Sequence, residues 1–97
     1  MDYMITEIHP KDGIIKDVHK TILNRPCKIL ALKKGELGWL LVDVGDTEFG
    51  PHRICISAVQ RIIGRDRDPE IQIETKNTHY ILEAIVLNET AVENPSG

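Results

Sequence analysis

Residues 27–44, CKILALKKGELGWLLVDV, decide how this chain is read. Two apolar runs, Cys27–Lys33 and Leu37–Val44, flank Lys34-Gly35, where the chain can reverse tightly. A turn at that point sets Leu32 opposite Leu37, Leu30 opposite Trp39 and Ile29 opposite Leu40. Side chains alternate between the two faces of a strand, so both faces of this hairpin come out largely apolar. One face suits a core. The other calls for cover from a helix, a second sheet or another subunit.

The strand pattern continues downstream. In His52–Ile63, His52, Ile54 and Ile56 alternate with Arg53, Cys55 and Ser57, and small Ser57 and Ala58 allow the strand to curl. Ile71–Lys76 and His79–Val86 form a last hairpin. With Asn77-Thr78 as its turn, Thr75 meets Tyr80, Ile73 meets Leu82 and Ile71 meets Ala84 on a core face. Glu74 then meets Ile81, and Lys76 meets His79, on a mostly polar face. The loops at 45–51 and 64–69 carry the glycines, prolines and charges of solvated reversals.

Upstream, Ile5 and Ile8 fit a short edge segment ending at Pro10. From Asp12 the spacing changes: Ile14, Ile15, Val18 and Ile22 fall on one helical stripe. Asp12 can cap that helix and Pro26 ends it, which predicts a helix over 12–24 despite Gly13 and the β-branched residues. The expected fold is mainly β (α+β). It is a small curled antiparallel sheet or a partly open SH3-like or Sm-like β-barrel with one N-terminal helix. That domain spans residues 1–87, with a flexible acidic tail over 88–97. Closure removes exposed sheet edges, whereas an open sheet invites pairing between subunits. The barrel names describe architecture and bring no function with them.

A 97-residue chain that is 41% hydrophobic and 28% charged has the composition of one soluble globular domain. It contains no apolar run of membrane-spanning length and no basic-then-apolar leader, so a cytoplasmic protein without membrane contact is expected. Cys27 and Cys55 then read as reduced thiols. The net charge of −3 is unevenly distributed. Residues 11–34 carry Lys11, Lys16, Lys20, Arg25, Lys28, Lys33 and Lys34, whereas residues 36–48 carry only acidic charges. Segregation of this kind suits a protein partner or self-association.

Catalytic and metal chemistry find little footing. His9, His19, His52 and His79 join two cysteines as donors, but structural zinc sites use close ligand pairs matched by a distant pair. Only His52 and Cys55 are close, and a regular strand sends them to opposite faces. There is no Gly-x-Ser-x-Gly elbow, phosphate-cradling glycine loop or Cys-x-x-Cys pair. We therefore expect no enzyme, no metal and no small-molecule cofactor. The leading expectation is a protein partner or a homo-oligomer, bound through Trp39 and Phe49 with Glu48, His52 and Arg53 as a polar border. The ordinary alternatives are Trp39 as a core filler and Phe49 as a plug for its own loop. A second functional reading is a nucleic-acid-binding regulatory module that uses Lys16, Lys20, Lys33, Lys34 and Arg61 on phosphates. The low aromatic content, 4%, counts against a base-stacking surface.

Overall fold

A strand buried on one face hides its inward residues only if the sheet curls over them, and here the sheet curls until it closes. The computed structural model describes residues 2–65 and 67–85. Its strands are β1 (Tyr3–Pro10), β2 (Pro26–Ala31), β3 (Leu37–Val42), β4 (His52–Ile63), β5 (Glu70–Thr75) and β6 (Thr78–Ala84), with α1 (Asp17–Ile22) between β1 and β2. Each strand pairs antiparallel with the next, and β6 returns to β1, giving a closed six-stranded barrel. The N-terminal segment is thus no short edge. β1 is an eight-residue strand that seals the sheet between β2 and β6.

Inward side chains from all six strands make one core: Tyr3, Ile5 and Ile8, Cys27, Leu40 and Val42, Ile56 and Val59, Ile71 and Ile73, Tyr80 and Leu82. Closure depends on bulges. β4 is twelve residues long and serves two neighbours: Leu37 pairs with Ala58 but Gly38 with Ile56, leaving Ser57 unpaired. Between Val59 and Arg61 the register against β5 shifts again at Gln60. An extra residue bends a strand and adds twist, which is how one strand can face β3 at its start and β5 at its end. The curl expected at Ser57-Ala58 is the first of these bends.

Two registers differ from the sequence reading. In the β2–β3 hairpin, Ile29 faces Leu40 as expected, but a bulge places Ala31, not Leu30, opposite Trp39. Leu32 consequently turns toward the core, while Leu30 and Ala31 both stay on the outward face with Trp39. In the last hairpin Ile73 faces Tyr80 and Glu74 faces His79, so the two-residue connection is Lys76-Asn77 and not Asn77-Thr78. The cause is side-chain chemistry: Thr75 Oγ1 accepts from the Thr78 and Asn77 amides and donates to the Thr78 carbonyl, closing the turn one residue early. This displaces the pairing by two positions, an even number, so the expected core face survives. His79 accordingly lies across from Glu74 and not from Lys76.

The helix is half the expected length. Asp12 Oδ1 accepts from the Ile14 amide in a local turn, Gly13 adopts φ +76°, and Lys16 is still extended. These steps hold residues 11–16 out of the helix. Of the expected apolar stripe only Ile22 is buried; Ile14, Ile15 and Val18 are exposed. The helix stops at Ile22 because Leu23 is extended and Asn24 is left-handed (φ 62°). The Asn24 amide donates to the Ile5 carbonyl, tying the exit to β1. Tyr3 is a further fastening: its hydroxyl accepts from the Arg67 amide at 2.9 Å, holding the β4–β5 connection against β1. The acidic tail expected over 88–97 lies outside the described residues.

Candidate functional site

Alternation along β3 sends Gly38, Leu40 and Val42 inward and Leu37, Trp39 and Leu41 outward. Trp39 is therefore not a core filler; it is 40% exposed on the barrel wall. Its cross-strand neighbours are Ala31 on β2 and Cys55 on β4. With Leu30, Ala31 and Arg53 it lines a shallow concavity of about 300 Å³. A second concavity of about 330 Å³ shares Leu30 and Ala31 and continues over Ile62, Gly64 and Ile71 toward the β4–β5 connection. The bulge in β2 joins the two by keeping Ala31 outward beside Leu30.

The expected binding residues separate into two groups. Trp39 and Arg53 meet at the first concavity. Glu48 and Phe49 instead belong to the β3–β4 loop, organised by Asp46, and His52 opens β4 beside it. The Asp46 carboxylate accepts from the Glu48 and Phe49 amides and bonds His52 Nε2 at 2.8 Å. Those amide bonds, foremost that from Phe49, hold its carboxyl below the ordinary aspartate range. Phe49 is not a plug: the loop amides are satisfied by Asp46, and the ring is 77% exposed.

The five basic residues of the nucleic-acid reading fall in three places: Lys16 and Lys20 one helical turn apart at α1, Lys33 and Lys34 between β2 and β3, and Arg61 on β4. Lys33 pairs with Glu36 at 3.4 Å beside the β2–β3 turn, whose Gly35 amide donates to Val59. Arg61 lies with Glu74 and His79 across β4, β5 and β6. Lys20 is exposed on α1. Lys16 alone lines a polar cavity, in the company of Lys11 and Lys76, which the sequence reading did not single out.

Neither thiol sits in a catalytic arrangement. Burial, with Asp2 adding repulsion, pushes Cys27 up to about 12, so it stays protonated in the core. Cys55 is exposed. Among the described residues no group of histidine, cysteine and carboxylate side chains is placed to hold a metal ion. No described helix is long and apolar enough to cross a membrane.

The fold and this surface define a class: a small closed meander barrel with an apolar patch on its outer wall and, among the described residues, no catalytic motif. Comparison with protein-family models, with curated proteins and with solved structures finds no match.

Proposed function

We propose that this protein is a non-enzymatic binding module that works through protein–protein contacts on the outer wall of β2, β3 and β4. One observation carries the reading: Trp39, Leu30 and Ala31 form an apolar surface along two concavities that share Leu30 and Ala31, and the described chain leaves Trp39 40% and Leu30 46% exposed there. Leu37 and Ile62 are exposed on the same strands. Contiguous apolar surface on a small domain marks interaction sites, and an aromatic anchor with an arginine at its border matches the composition of binding hot spots. The dispersal of Lys20, Lys33 and Arg61 gives the nucleic-acid alternative less support.

The test is a Trp39→Ser/Leu30→Ser variant, which removes the patch without touching the core. Light scattering across a concentration series, and capture from cell extract on immobilised protein, are compared with the unaltered chain. The proposal expects either self-association or a specific captured partner, lost in the variant. A monomer whose captured proteins are the same with and without the patch would refute it.

A further inference from the structure

The polar cavity at the end of β1 is built differently from the apolar wall. Its volume is about 210 Å³, and it is lined by Pro10 and Lys11 from the end of β1, Asp12 and Lys16 from the following loop, His19 from α1, and Lys76, Asn77 and Thr78 from the β5–β6 turn. The Lys11 amide donates to the Asn77 carbonyl at 2.8 Å, so the two sides of the cavity are fixed to one another. Three lysines and one acidic residue, Asp12, are in the lining. Lys11 is already engaged, at 3.0 Å from Glu74 and 3.1 Å from Gln60 Oε1. Lys16 and Lys76 have no ion pair among the described residues.

His19 supplies the second, independent observation. It is only 6% exposed, yet its ring lines this cavity. Nδ1 accepts from the Lys16 amide at 3.1 Å, which leaves the proton of the neutral ring on Nε2. Among the described residues that Nε2–H has no acceptor, and a buried donor without a partner is uncommon. The ring packs edge-on to Tyr80, so it is held in place.

We propose that this cavity binds a small tetrahedral dianion, the phosphate or sulfate group, between Lys16 and Lys76 with the His19 Nε2–H as a buried donor. Charge-assisted bonds to phosphate oxygens are among the stronger hydrogen bonds proteins make, and the walls here are rigid backbone and turn. Asp12 opposes the anion and sets its limit: the site takes a compact dianion and not a long polyanion. The groups facing His19 are Lys16 and Asp12 from the loop, Lys11 from β1, Lys76 from the β5–β6 turn and Tyr80 from β6. Burial and the Lys16 charge lower the His19 pKa, which favours the neutral ring that carries its proton on Nε2.

Sodium sulfate is titrated into the protein at constant ionic strength, against sodium chloride, and followed by amide and imidazole NMR. Sulfate keeps its charge over the neutral and mildly acidic range, so any pH dependence belongs to the protein. Saturable shifts at Lys16, His19, Lys76 and Asn77, a slowed His19 Nε2–H exchange and a raised His19 pKa support the site. Affinity is expected in the millimolar range, weakened about fivefold by K16Q or K76Q and strengthened by D12N. These exposed substitutions leave the core intact, and the Trp39→Ser/Leu30→Ser variant is expected to bind sulfate unchanged. Inorganic phosphate and methyl phosphate then distinguish a free anion from a phosphate ester by which binds more tightly. Shifts that do not saturate, that chloride reproduces, or that K16Q and K76Q leave unaltered overturn the proposal.

Discussion

Gly38→Ala, combined with Ile56→Ala, tests how tightly β3 and β4 are packed. Gly38 lies on the inward face of β3, and a Cβ built there would sit 2.7 Å from Ile56 Cγ1, 2.8 Å from Ile56 Cδ1 and 3.1 Å from Leu32 Cδ2. Glycine at this position is a matter of space, since its φ is not in the left-handed region. Overpacking of a core by one methyl costs about 1–3 kcal/mol, while replacing glycine recovers about 0.5–1 kcal/mol by restricting the unfolded chain. The net expectation for Gly38→Ala is a loss of about 1 kcal/mol. Ile56 is buried, and Ile56→Ala removes both clashing atoms and leaves a cavity, at about 3 kcal/mol. Independent effects would sum to about 4 kcal/mol, but the new methyl enters the space that Ile56 vacates. The double variant is therefore expected to lose only about 2.5 kcal/mol, a coupling of about 1.5 kcal/mol.

Urea unfolding followed by the fluorescence of Trp39, the only tryptophan, reads this directly. With a slope near 1 kcal/mol per molar urea, the coupling appears as a midpoint about 1.5 M above the additive value. Strict additivity, or a Gly38→Ala variant more stable than the parent, would refute the packing described here.

Thiol labelling should distinguish the two cysteines: the folded protein exposes one fast-reacting thiol, Cys55, and only denaturant releases Cys27. Two thiols modified at equal rates in the native protein would contradict the position of Cys27 in the core. Asp46 should govern the β3–β4 loop in acid. A lowered carboxyl pKa means its contribution is complete above the ordinary value of 3.8 and fades as pH falls through the lower folded value. The Glu48 and Phe49 amide shifts should therefore titrate with a midpoint below 3.8, and Asp46→Ala should abolish that transition.

Much of the barrel was legible because strand alternation is a local property. The apolar runs at 27–33, 37–44, 52–63 and 71–76 each overlap an observed strand, and Ile71, Ile73, Tyr80 and Leu82 lie on the core face that alternation assigns them; for 37–44 alternation left open which face turns inward, and the structure buries Leu40 and Val42. The helix was overread for an equally local reason. Ile14, Ile15, Val18 and Ile22 satisfy helical spacing, but spacing does not register that Asp12 and Gly13 form a competing turn. The last hairpin was misplaced by two residues because a threonine hydroxyl, not the Asn77-Thr78 pair, chose the turn. The apolar pair Trp39 and Leu30 could be read as surplus to one core. That they share a face follows from setting Leu30 opposite Trp39; the bulge that puts Ala31 there instead could not be read, since it depends on how β2 meets β3.

By itself, then, the sequence determined a mainly β domain, the approximate positions of five strands, the core face of the last hairpin, and an apolar excess around Trp39. These follow from residue type and a period of two, which every strand carries within itself. Tertiary structure decided the closure of the sheet by β1, the registers, and the meeting of Lys11, Lys16, His19 and Lys76 around one cavity. Those outcomes depend on pairing between segments remote in the chain. Closure exists only when β1 finds β6, and the lysines gather only because that pairing brings the end of β1 against the β5–β6 turn.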